Sequence, residues 1–175
     1  MRAKTSLLTA LLLSLALAGC SAPQVNADGG HAQTDREKQG GSEQPGFSEP
    51  LGVDELSAHP LFTRFSDVYG ATELITGIAG DCNGDGVEDL TVVFRHSGGG
   101  NHLVTVYWGG EEYRLSEEMA APVEDCLLTW RDIDEAPPVE LLVSGRKGTN
   151  IGFAIYRFEA GAWTALFGDG MGDCC

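Results

Sequence analysis

The chain ends in FGDGMGDCC, and its two final residues, Cys174 and Cys175, are the most informative functional feature of the sequence. Adjacent cysteines close on each other only through a strained eight-membered ring, so such a disulfide is easily reduced. Three roles stay open for them. They are a labile redox pair, a dithiol that chelates a soft metal, or two half-cystines joined to Cys82 and Cys126. Thiolates favour soft ions such as Hg, Cu(I) and Zn, and Met171 adds a thioether nearby. Asp169, Asp173 and the terminal carboxylate surround the pair with negative charge, which slows a thiol's attack as a nucleophile. Capture or exchange suits that setting better than fast nucleophilic catalysis.

A second chemical feature is the segment GDCNGDGVEDLTVVF. Asp81, Asn83 and Asp85 alternate, Gly86 permits a sharp turn, and Asp89 follows. Alternating oxygen ligands around a permissive glycine are what a hard cation such as Ca²⁺ requires. The pattern is not an EF-hand, because Val92 stands where that loop needs Glu and a strand follows. D-x-N-x-D-G-x-x-D-L running into TVVF instead resembles the FG-GAP or VCBS-type repeats of integrin-like β-propellers. The resemblance implies Ca²⁺ held by the side chains of Asp81, Asn83, Asp85 and Asp89 and by the carbonyl of Val87. At an offset of 51 residues, RDIDEAPPVELLVSG repeats the segment. Asp132, Asp134 and Glu140 match Asp81, Asn83 and Asp89, but Ala136 and Pro137 replace Asp85 and Gly86. The copy is expected to keep the turn and to bind calcium poorly.

The elements that position these residues repeat as well. ELITGIAG, DLTVVFRH, HLVTVYW and YRLSE read as four short strands, and CLLTWRDI, ELLVSGR, GFAIYRFE and AWTALF as four more. HSGGGN and KGTN are the matching hairpin turns. The fold class is therefore mostly β, with two four-stranded blade-like units. Two blades cannot close a propeller, so they must pack on each other or be capped. One short helix, starting near Pro60 and carrying Leu61, Phe62, Phe65 and Val68, is the expected cap. If the units lie side by side, Cys82 and Cys126 form a structural disulfide between them. His96 and His102 flank the glycine turn, where H-x5-H can bring two imidazoles to one metal. A solvent-exposed loop pair is the favoured reading. His31 and His59 are isolated. Trp108, Trp130 and Trp163 suit core or inter-blade packing.

The N-terminus is a targeting segment. Arg2 and Lys4 precede the apolar run SLLTALLLSLALA, too short to span a bilayer comfortably. It leads into Leu17-Ala18-Gly19-Cys20, which resembles the lipobox of bacterial lipoproteins. That resemblance implies cleavage before Cys20, a diacylglycerol on its thiol, and an extracytoplasmic, membrane-anchored chain in the cell envelope. Ser21 to Pro50 is rich in Gly, Gln, Ser and acids and cannot bury enough apolar area to offset its entropy, so it reads as a disordered tether. The whole chain has 26 acidic residues against 11 basic ones. With no basic run, nucleic acid is excluded as a partner. No nucleophile elbow, HExxH helix or phosphate-binding glycine loop appears, so no hydrolytic active site is expected.

Taken together, lipoprotein-type signal, tether, small β domain and terminal Cys-Cys-carboxylate resemble the Cys-Cys-COOH (seleno)protein family SaoC. Members belong to a selenium-associated system with a transporter and an organomercurial-lyase-like protein, and the last residue is selenocysteine in some. The resemblance implies that Cys174 and Cys175 are the functional pair, engaged in thiol redox or soft-metal capture and transfer, with a transporter or thiol reductase as partner. The competing reading is a calcium-stabilised surface binding module whose cysteines are all structural. The expected organisation is a signal peptide over 1–19, lipidated Cys20 and tether over 20–50, a helical cap over 51–71, blades over 72–120 and 121–167, and a flexible tail over 168–175.

Overall fold

The computed structural model describes residues 49–175. The signal segment, Cys20 and most of the expected tether lie outside the described residues. The chain is mostly β, with two antiparallel sheets stacked face to face and helices on the outer face of the first.

Two helices, not one, precede the sheets: α1 (Val53–Ala58) and α2 (Phe62–Tyr69). The earlier one starts after Gly52, whose N–H donates to the Glu55 carboxylate at 3.1 Å. That bond satisfies a donor at the helix start, and Asp54 and Glu55 favour the positive end of the helix dipole. Pro60 separates the two helices and ends the first, as its ring disfavours helical backbone at His59. α2 buries Phe65 fully, with Tyr69 stacked on it at 5.0 Å between ring centroids.

The first sheet contains β1 (Glu73–Gly80), β2 (Asp89–Arg95), β3 (Asn101–Trp108) and β4 (Tyr113–Leu115), in that order. A fifth strand, β5 (Met119–Ala121), was not expected; it pairs with the other half of β3's edge. Ser116 joins the two short strands to β3, donating its N–H to the Thr105 carbonyl at 2.8 Å and accepting the Thr105 N–H at 2.9 Å. The second sheet holds the four expected strands, β6 (Glu124–Arg131), β7 (Glu140–Lys147), β8 (Asn150–Glu159) and β9 (Ala162–Asp169), in sequence order. The 51-residue offset survives in the pairing itself. Gly80 faces Asp89 and Ala79 faces Leu90 in the first sheet; Arg131 faces Glu140 and Trp130 faces Leu141 in the second.

Two cores result. Ile78, Val93 and Leu103 of the first sheet meet Leu128, Trp130, Leu141, Val143 and Phe158 of the second. On the first sheet's other face, Leu90, Val92, Phe94, Val104 and Val106 pack under Leu56 and Phe65. Gly77 makes the helix approach feasible, since a Cβ there would stand 2.6 Å from Leu56. Trp130 also donates its indole N–H to the Ala79 carbonyl at 2.9 Å, tying one sheet to the other. The last segment corrects the expected flexible tail: after β9, a short helix α3 (Met171–Cys174) folds back against β8 and β7.

Trp130 is 6% exposed and Leu127, on the same strand, is 50% exposed. Trp130→Ala is expected to lower unfolding free energy by about 3–5 kcal/mol, whereas Leu127→Ala should cost no more than about 0.5 kcal/mol, both read from urea denaturation.

Candidate functional site

The C-terminal thiols are held, not free-swinging. Gly170 adopts φ +67°, which turns the chain off β9 and into α3. Val123 N–H then donates to the Cys174 carbonyl at 2.9 Å. Gly152 of β8 leaves the gap into which the Cys174 sulfur fits: a Cβ on residue 152 would lie 2.7 Å from that Sγ. Cys174 is completely buried and Cys175 is half-buried. The expectation of a flexible Cys-Cys tail over 168–175 is therefore corrected at the thiols themselves, because the missing Cβ of Gly152 creates a socket for Cys174.

Sulfur gathers here. The Cys174 Sγ lies 3.6 Å from the Cys175 Sγ and 3.7 Å from the Met171 Sδ. An S–S bond is about 2.0 Å long, so the two cysteines stand as separate thiols. Cys126 of β6 lies near enough that its charge and that of Cys174 oppose each other. Burial, then Cys174, push the Cys126 thiol up to about 12. Burial, the hydrogen bond and charge of Cys174, and then Cys126 push Cys175 up to about 12, with Lys147 pulling the other way. Burial first, and then the neighbouring sulfurs, favour the protonated form of Cys126 and Cys175. Such thiols are slow nucleophiles, whereas a soft ion can displace their protons on binding.

The Cys82–Cys126 disulfide is not formed; both are free thiols. Cys82 is fully buried and donates its S–H to Asp89 Oδ2 at 3.0 Å. Cys126 sits toward the other end of β6 from Trp130, the residue that contacts Ala79. Four residues of strand separate them by about 13 Å. Sequence reasoning missed the proximity of Cys126 to the terminal pair, since only the fold-back of α3 brings them together.

The calcium-type loop forms a tight turn. Asp81 accepts the N–H groups of Gly84 at 2.8 Å, Asp85 at 3.1 Å and Gly86 at 2.9 Å. Asp85 accepts from Val87 N–H at 2.8 Å and from the Asn83 amide at 3.0 Å. Asp81, Asn83 and Asp85 thus share one exposed turn. Asp89 faces inward: it is 1% exposed and accepts from Cys82 N–H at 3.0 Å, from the Cys82 thiol, and from Trp108 N–H at 3.0 Å. Burial raises its carboxyl above the usual range, partly countered by those bonds. Calcium bound by the full set would require Asp89 to exchange these partners for the ion.

In the second unit the same turn recurs. Ile133 N–H donates to Glu140 at 3.0 Å as Cys82 N–H does to Asp89, and Ala136 N–H donates to Asp134 at 3.1 Å as Asp85 N–H does to Asn83. Asp132, Asp134 and Glu140 converge, with ligand oxygens within 4.8 Å of one another. A guanidinium supplies the positive charge: Arg157 bonds Asp134 at 2.6 Å and also Glu140. It holds the Asp134 carboxyl below the usual range. The copy therefore has its cation built in.

No helix among the described residues is long and apolar enough to cross a membrane. No family model, curated protein or solved structure matches the chain.

Gly152→Ala should overfill the socket at a cost of about 1–3 kcal/mol. Alkylation of Cys174, followed by mass spectrometry at pH 8, should then rise by roughly 5- to 150-fold as the tail opens more often. In the reduced, metal-free wild type, alkylation of Cys126 and Cys175 should keep rising with pH toward about 12, because a raised pKa delays formation of the thiolate.

Proposed function

We propose that the protein is a lipid-anchored envelope protein that captures a soft metal ion of the Cu(I) or Hg(II) class through Cys174 and Cys175. The observation that carries this reading is the gathering of two thiols and one thioether at the C-terminus, with sulfur contacts of 3.6 and 3.7 Å. Such a donor set, lacking oxygen, prefers soft ions. Half-buried Cys175 is the point of entry, and buried Cys174 with Met171 completes the site. Binding releases a proton from each thiol that becomes a thiolate. Transfer onward to a transporter, or exchange with a thiol reductase, belongs to the same proposal. So do the selenium-associated setting implied by the resemblance to the Cys-Cys-COOH family and the diacylglycerol on Cys20. The 51-residue register match supports reading the two sheets as FG-GAP or VCBS-type blades, a scaffold for the sulfur site.

A test is Cu(I) titration of the reduced protein against a chromogenic competitor. Wild type should take up one tightly held ion. Cys175→Ser, whose side chain is half exposed, should bind at least tenfold more weakly, roughly the loss that follows even from disturbing a ligand's support. Equal affinity in both, or four thiols that resist native titration because they are disulfide-bonded, would sink the proposal.

The turn of Asp81, Asn83 and Asp85 favours a second ligand, Ca²⁺, serving stability and not capture. Millimolar Ca²⁺ should raise the midpoint of thermal unfolding in wild type and leave Asp85→Ala unmoved; an equal rise in both would remove calcium from this loop.

A further inference from the structure

The β2–β3 hairpin carries a constellation separate from the thiols. His96 follows directly after β2, two residues beyond Phe94, so both occupy one face of the strand. His102 of β3 pairs with Phe94 and therefore shares that face. Pairing of His102 with Ala120 and of Leu103 with Met119 runs β5 back along β3. Glu118, one residue before β5, arrives on the same side. The sheet register thus collects three metal-ligating side chains from three segments. His96 stands in the turn after β2 with its side chain 42% exposed, and His102 is a β3 residue, 29% exposed.

Their geometry is close. Glu118 Oε1 lies 3.1 Å from His96 Nε2 and 2.7 Å from His102 Nδ1. The imidazole centroids are 4.8 Å apart, and all three ligand atoms fall within 4.8 Å of one another. A tetrahedral ion with bonds of about 2.0–2.1 Å has ligand–ligand edges of about 3.3 Å. The two oxygen–nitrogen separations need to open by only tenths of an ångström, and the nitrogen pair to close by no more than about 1.5 Å, to meet such an ion. Glu118 Oε1 is the shared partner of both ring nitrogens, so the three ligand atoms already converge on one point.

The surroundings favour a fixed site. Phe94 is fully buried and stands 5.2 Å from the His96 ring and 6.2 Å from the His102 ring. Tyr69 of α2 approaches the cluster from the helix side, its ring centroid 6.3 Å from that of His96. Beside the cluster opens a groove lined by Tyr69, Thr72, Glu73, Arg95, His96 and Ser97. At that groove the Thr72 hydroxyl oxygen is buried with no hydrogen-bond partner among the described residues.

We propose that His96, His102 and Glu118 form a binding site for a divalent ion of the zinc class, with its open coordination position toward the groove. Two imidazoles and one carboxylate suit Zn²⁺, and three protein ligands leave a fourth position for water or a small ligand. This donor set is harder than the sulfur site and independent of it.

The test is titration of the full, reduced chain with Zn²⁺ while ring-nitrogen NMR signals of its histidines are recorded. His96 and His102 should shift together as Zn²⁺ is added, in wild type and in Cys175→Ser alike, and His31 and His59 should not. His102→Gln should abolish the His96 shift and weaken calorimetric binding at this site by roughly 10–100-fold or more. Cys175→Ser should leave both unchanged, so failure of the sulfur proposal cannot imitate failure here. Glu118→Gln, on a partly exposed residue, gives a second variant that keeps the fold. Histidine signals that stay still, or shift alike in wild type and both site variants, would overturn the inference.

Discussion

Two buried carboxylates set the frame of this domain. Asp89 and Glu140 are 1% and 0% exposed, each at the first position of the second strand in its sheet. A carboxylate removed from water is tolerable only if its oxygens are bonded. Both acids meet that demand by reaching back to a backbone N–H at the start of the preceding turn, that of Cys82 or Ile133. Those bonds fix Gly80 opposite Asp89 and Arg131 opposite Glu140. A slip by one residue would strip both acids of their partners and turn the apolar faces outward.

The two units complete the requirement differently, and the difference separates their chemistry. Glu140 gains an ion pair with Arg157, which also draws in Asp134. Asp89 gains a thiol and the Trp108 N–H, while Asp81, Asn83 and Asp85 stay in an exposed turn to which no arginine among the described residues is bonded. One turn is neutralised from within and the other keeps its negative charge toward solvent. The same registers carry outward to the sites at the edges. Pairing of β7 with β8 puts Gly152 where Cys174 docks, and pairing of β2 with β3 brings His102 beside His96.

Strands were legible because alternating apolar residues and a second copy reinforced each other. ELITGIAG and AWTALF lie where they were read, inside β1 and β9. α1 escaped notice because Gly52 offers no capping side chain and only Leu56 of its residues is buried. β5 is Met-Ala-Ala, a stretch without strand character that owes its pairing to the free half of β3's edge. The tail looked flexible because glycine and aspartate usually are; its docking depends on a gap at Gly152 that local composition does not announce. Cys126 and the imidazole cluster share that limit. Glu118 approaches the histidines, and Cys174 approaches Cys126, only after sheet pairing and chain reversal are fixed.

The chemistry thereby divides into three donor environments: sulfur at the C-terminus, oxygen in the Asp81 turn, and mixed nitrogen and oxygen on the hairpin. Softness of the donors, not net charge, distinguishes what each would hold. The central claim rests on the first. X-ray absorption at the copper edge of protein loaded with one equivalent of Cu(I) reads the ligating atoms directly. The account predicts a shell of sulfur alone, with two or three scatterers from Cys174, Cys175 and Met171 or Cys126. A shell containing nitrogen or oxygen would place the ion elsewhere and contradict it.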